Sequence, residues 1–225
     1  MPLDDYSYAL TIGQSCGPCF QLQRAAGRVR IPVDRVTGPF DWLLVDLRQA
    51  AQVLARDFAG YFEDESRGSS VLQDGHWMVT DGSGAVAWHQ LKQRDGELMP
   101  GARVWSEFRA WLAQRIRNWR TRILDPQGNI LLIRNESPFR PDSAEDLIQL
   151  TELLRTQIAG RFKILWLRYG PPLVGFEDPN VCMFELRRSW PEKLSEEQVD
   201  YDRDYGFGTA WRGRDEDWER IWRSV

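Results

Sequence analysis

The sequence predicts an α/β fold: one domain over 1–225 in which a central, mixed and partly parallel sheet is flanked by helices. Three observations predict it. Buried-type strand runs at 129–133, 163–167 and 181–186 alternate with a helical stretch ending near residue 158, the strand–helix–strand order of a parallel sheet. A short aromatic strand at 6–12 feeds directly into a helical pattern. Amphipathic stretches at 44–59 and 102–123 supply covering layers.

Each element has a local reason. Tyr6 to Ile12 is short, apolar and β-prone, and it ends at Gly13. From Cys16 to about Ala26, Phe20, Leu22, Ala25 and Ala26 line one side of a helix that Gly27 stops. Leu44, Leu47, Ala51, Leu54 and Phe58 recur at helical spacing and predict a second helix over 44–59. Residues 63–75 are polar and read as a surface loop. Asp81-Gly82-Ser83-Gly84 separates two β-like runs, 76–80 and 85–91, and carries hairpin chemistry. The helix over 102–123 ends before Pro126 and Gly128. Asp142 or Ser143 caps the next helix, which Gly160 stops. Residues 190–225 read as an acidic, aromatic extension whose last helix docks on the body. There is no internal repeat.

Composition narrows the function classes. With 42% apolar, 28% charged and 12% aromatic residues, the 225-residue chain is expected to be soluble and globular, not disordered. No window approaches about 18 uninterrupted apolar residues, so no membrane span is expected. The acidic start Met-Pro-Leu-Asp-Asp lacks an apolar leader core, which predicts a cytoplasmic protein. A net charge of -4 gives no global electrostatic case for nucleic acid. The odd cysteine count (Cys16, Cys19, Cys182) argues against a disulfide framework, and Cys182 is expected to be buried in its strand. With only His76 and His89 to add, a zinc site is not expected, and no cofactor is called for.

The chemically informative segment is Thr11-Ile12-Gly13-Gln14-Ser15-Cys16-Gly17-Pro18-Cys19. It sets a thiol where a strand ends and a helix begins. Unpaired N–H groups and the helix dipole there stabilise an anion, so a thiolate is favoured. The same N–H groups can hold an oxyanion formed beside the sulfur. Gly13 permits the tight turn, and Gly17 lets a substrate approach the backbone. Cys16-Gly17-Pro18-Cys19 is also a thioredoxin-type dithiol sequence, with Cys16 attacking and Cys19 resolving. The tryptophan usual before that motif is Ser15 here.

Three segments together resemble a bacterial family of unknown function grouped with the papain-like cysteine peptidases. They are Ile12-Gly13-Gln14-Ser15-Cys16 with Gln21-Leu22, Gly38-Pro39-Phe40-Asp41-Trp42, and Gly84-Ala85-Val86-Ala87-Trp88-His89. The resemblance spans roughly 6–170 and implies a Cys–His thiol hydrolase, with Cys16 as the family cysteine and His89 as its histidine. In that reading Gln14 supplies an oxyanion donor, and the implied alternative fold is α+β. A third group should orient the imidazole. Asn135, Asp81 and Asp41 are the candidates, with Asn135 preferred because Cys…His…Asn is the papain-like chain order; Asp41 alternatively caps the following helix. A strand running straight into Gly-x-x-Cys also resembles the opening of SGNH-type hydrolases, in which a later strand-end Asn donates to the oxyanion; Asn135 fits that part.

The expected function is thiol-dependent hydrolysis or acyl transfer on a peptide or small acyl substrate. Two alternatives remain at this stage: a Cys16/Cys19 dithiol oxidoreductase, and a non-catalytic interaction domain using the tryptophan-rich helix around 105–119.

Overall fold

The computed structural model describes residues 3–13, 16–28, 31–63, 69–73, 76–87, 101–136, 142–168, 173–186 and 215–224. Strands β1 (Tyr8–Thr11), β6 (Asn129–Asn135), β7 (Arg161–Arg168) and β8 (Val181–Glu185) form one sheet in the order β1-β6-β7-β8. Every pairing in it is parallel. Strands β2 (Leu43–Leu44), β3 (Ser69–Gln73), β4 (His76–Thr80) and β5 (Val86–Ala87) form a second, antiparallel sheet, ordered β2-β5-β4-β3. The α/β class therefore stands, and the antiparallel strands make a sheet of their own rather than joining the parallel one. The α+β alternative gives way, because the cysteine helix here follows a parallel strand.

Among the described residues, five helices accompany the sheets: α1 (Cys16–Arg28), α2 (Leu47–Ala55), α3 (Gly101–Ile123), α4 (Ala144–Gln157) and α5 (Asp215–Ser224). Strand alternation sorts the two faces of the parallel sheet. Ile130, Leu132, Ile164 and Trp166 pack with Leu47 and Leu54 of α2, Phe108 and Trp119 of α3, and Leu150 and Leu154 of α4. Leu131, Ile133, Leu165 and Leu167 pack with Leu22 and Ala26 of α1 and with Trp218 and Ile221 of α5. Both faces are covered, which is why these strands read as continuous apolar runs. Each fully buried Leu or Ile stabilises the fold by about 1.5–3 kcal/mol.

Local chemistry explains the boundaries. Helix α2 is shorter than its periodicity predicts. Residues 43–44 pair with β5 instead, and Asp46 then starts the helix with a capping box in which its side chain accepts from the Gln49 backbone N–H. After Ala55 the chain coils tightly, with Asp57, Phe58 and Phe62 at φ 47°, 63° and 52°. Ser143 caps α4 through the Asp146 N–H. The polar stretch taken as a loop contains β3, because hairpin pairing with β4 satisfies its backbone. A side chain at Gly160 would collide with the Gly128 carbonyl, so glycine is required where β6 and β7 begin side by side.

Cys182 is exposed rather than buried. Its neighbours Val181 and Met183 pack into the α2–α4 layer, while on its own face the described apolar cover takes in Phe184 and Leu186 further along. The outer edge of β1 is shielded by the Val33–Val36 turn and its flanks. Arg35 there donates to the Ser7 and Tyr6 carbonyls, each at 2.7 Å.

Candidate active site

In an open parallel sheet, ligands gather beyond the carboxyl ends of the strands. Here that rim begins with the turn from β1 into α1. Gly13 lies at φ +54°, and a Cβ on it would meet Val45 Cβ at 2.8 Å, so glycine is needed both for the backbone and for the close approach. Cys16 is the first residue of α1. The first turn of that 13-residue helix contains no acidic side chain, so nothing there cancels the positive end of its dipole. Pro18 suits this turn because its missing N–H is one the helix cannot use.

The segment from Thr37 to Val45 runs alongside the end of β1 and is locked to it. Asp41 is completely buried. It accepts from Thr11 Oγ1 at 2.7 Å, from the Gly38 N–H at 2.8 Å and from Arg115 of α3 at 2.9 Å. Burial pushes its carboxyl above the ordinary range, against the pull of Arg115 and the two hydrogen bonds. Asp41 is therefore not the cap of the following helix. That role belongs to Asp46, because Asp41 closes its own Gly38 turn and turns inward. Arg122 of α3 donates to the Thr37 and Asp34 carbonyls and fixes the other end of this segment.

Arg134 ties the rim together. It is fully buried near the end of β6. Its guanidinium forms a bidentate pair with Asp142, at 2.7 and 2.6 Å, and donates to the Ile12 carbonyl at 2.8 Å and the Val45 carbonyl at 2.6 Å. Burial lowers the Arg134 pKa and raises that of Asp142, each opposed by the partner's charge. One side chain thus joins the approach to the Cys16 turn, the end of β2 and the approach to α4.

Asn135 ends β6 and is buried. Thr11 pairs with Ile133, so Asn135 lies two residues beyond the last β1–β6 pair, at the end where the chain turns into α1. By alternation with Leu131 and Ile133 it faces the α1 layer. Beside it, Glu136 accepts from the Asp142 N–H at 3.1 Å and pairs with Arg168 at 3.3 Å.

Of the residues singled out from the sequence, Cys16, Gly17 and Asn135 lie on this rim. Gln14 and His89 fall outside the described residues. Ala87, two positions before His89, pairs with Leu43, two positions after Asp41. Asp81 lies elsewhere, in the β4–β5 turn, where it accepts from Ser83 Oγ at 2.6 Å. None of its described contacts is to the β1–α1 turn. Cys19 is buried in the same helix as Cys16, and its sulfur accepts from Gln23 Nε2 at 3.3 Å. Among the described residues no group of three or more His, Cys, Asp or Glu side chains is placed to hold a metal ion. No described helix is long and apolar enough to cross a membrane.

Sequence reasoning assigned no role to Arg134 or Glu136. An arginine inside an otherwise apolar strand, with an aspartate eight residues on, is the signal that would have marked Arg134. No protein-family model, curated protein or solved structure matches the chain, so the resemblance rests on the residues quoted for it.

Proposed function

We propose that the chain is a thiol-dependent hydrolase or acyl transferase with Cys16 as nucleophile. The observation that carries this reading is positional: a cysteine opens a helix directly after the first strand, on the carboxyl rim of a parallel sheet. A thiolate there gains from the helix N–H groups and dipole. The Cys16 sulfur attacks a carbonyl carbon and forms a tetrahedral oxyanion. Backbone N–H groups around Cys16 and Gly17, together with Asn135, are the donors suited to that oxygen. Collapse expels the leaving group, which takes its proton from His89, and leaves a thioester. Water or an acceptor nucleophile then releases the acyl group, with His89 removing the attacking proton.

Two further features support the assignment. Asn135 ends the strand adjacent to β1, two residues past the last β1–β6 pair, and by alternation faces the layer of the Cys16 helix. The strand leading toward His89 is hydrogen-bonded to the same 41–45 segment that Thr11 and Gly13 touch. A peptide and a small acyl compound both suit this chemistry.

Peptide-resolved mass spectrometry of iodoacetamide labelling against pH tests the proposal. Cys16 is expected to react well below about pH 8 in the wild type, and to lose that reactivity in His89→Ala. Slow labelling that does not depend on His89 overturns the reading. Cys19→Ser is expected to leave the Cys16 profile unchanged; its collapse would instead favour a dithiol cycle.

A further inference from the structure

Thiol hydrolysis at Cys16 leaves Cys19 without a task. Cys19 is completely buried and is a thiol, not half of a disulfide. Its sulfur accepts from Gln23 Nε2 at 3.3 Å, one turn further along α1, and this contact fixes where the sulfur stands. Burial keeps external oxidants and electrophiles from reaching Cys19 directly. A residue in the same first turn of α1 is under no such restriction.

Cys16 is that residue. Helix α1 runs without interruption from Cys16 to Arg28. Residues three apart in an α-helix share a face, and the helix geometry sets their Cα atoms about 5 Å apart. Disulfides bridge Cα separations of about 4.4–6.8 Å. The backbone of α1 therefore holds the two cysteines within bridging range. The third cysteine is placed elsewhere: Cys182 is exposed on β8, at the opposite edge of the parallel sheet from β1.

A thiolate favoured by a helix start attacks peroxides as well as carbonyls. The sulfenic acid so formed is reversible, but further oxidation to sulfinic acid is not. A second thiol one turn away intercepts it first.

We infer that Cys16 and Cys19 form a redox switch on the hydrolase site, in which a hydroperoxide turns the nucleophile off as a Cys16–Cys19 disulfide and a dithiol turns it back on. The switch rests on the reading of Cys16 as nucleophile. With hydrogen peroxide, the Cys16 thiolate attacks one peroxide oxygen. An S–O bond forms, the O–O bond breaks, and hydroxide leaves with the electron pair. The sulfur has lost two electrons and the peroxide has gained them. The Cys19 thiol then gives up its proton and attacks the Cys16 sulfur. The S–S bond forms, the S–O bond breaks, and the oxygen leaves with that proton as water. A dithiol opens the bridge by exchange and becomes a disulfide itself.

The full chain carrying Cys182→Ser, which removes an alternative bridging partner, tests the switch. Hydrogen peroxide is added to the reduced protein in rising ratio, and mass spectrometry follows the tryptic peptide 1–24, which holds both cysteines. With Cys19 present, the peptide is expected to lose two hydrogens and its iodoacetamide labelling at Cys16, and to regain both with dithiothreitol. In Cys19→Ser and Cys19→Ala, Cys16 is expected instead to gain two or three oxygens that dithiothreitol does not remove, at least about tenfold faster than with Cys19 present. Gln23→Leu should slow bridge formation and leave the labelling of reduced Cys16 unchanged.

Equal overoxidation with and without Cys19 overturns the switch. Labelling of the reduced protein separates its failure from that of the nucleophile reading. Fast, His89-dependent labelling without a bridge overturns the switch alone. A bridge that forms and opens while labelling is slow and independent of His89 overturns both, since the pair then guards no nucleophile. Catalysis of insulin disulfide reduction by dithiothreitol would make the pair an oxidoreductase centre and overturn the switch as well.

Discussion

Arg134 and Asp41 at the carboxyl rim of the parallel sheet differ from Asp81 and Tyr61 near the small antiparallel sheet in how fully their polar atoms are hydrogen-bonded. At the rim, Arg134 meets Asp142 and two carbonyls, and Asp41 has both oxygens occupied by Thr11, Gly38 and Arg115. At the turn, Asp81 has a single side-chain donor and the Tyr61 hydroxyl has none. A fully satisfied buried network fixes geometry, since each member loses its partner if another moves. An unsatisfied one costs stability. The rim network thus fixes the strand end that leads to Cys16 and the end of β6.

Substitutions can break this contrast. The largest effect is expected from Arg134→Met, which leaves Asp142 buried and unpaired and strips the Ile12 and Val45 carbonyls of their donor. Breaking a buried pair of this kind costs about 3–5 kcal/mol, to be read from urea denaturation. The next tests Asp41 through pH. Its carboxyl binds a proton more tightly folded than unfolded, so its contribution to stability is greatest in acid and declines as pH rises from about 4 through its raised value. The stability gap between wild type and Asp41→Asn should therefore narrow from pH 4 to pH 7. A gap that widened instead would mean that Arg115 outweighs burial. The smallest effect has the opposite sign: Tyr61→Phe should gain about 1 kcal/mol in thermal or urea denaturation, because the buried hydroxyl it removes has no hydrogen bond among the described residues.

Much of the parallel sheet was legible in the sequence. The apolar runs of β6 and β7 are too short for helices and too continuous for half-exposed strands, and the amphipathic run of α4 between them requires a parallel crossover. The small sheet was legible only in part. The Asp81–Gly84 turn announced the β4–β5 hairpin, but β2 and β3 depend on partners far along the chain and leave little local pattern. Cys182 shows the same limit from the other side. Its apolar strand reads as buried, yet exposure depends on which helix covers which stretch of the sheet.

The candidate site divides in the same way. Sequence alone determined that a cysteine opens a helix after a strand, because local backbone preferences and the glycines around it suffice to make that turn. It also marked Asn135 as a strand-end residue. Only the tertiary structure decided that β6, which Asn135 ends, lies beside the strand leading to Cys16, that Asp41 turns inward to Thr11 rather than capping a helix, and that the Tyr61 hydroxyl is buried without a hydrogen bond among the described residues. The reason is physical. Helix starts and turns follow from short-range sterics and hydrogen bonding, whereas register, burial and the partner of a buried charge depend on residues tens of positions away.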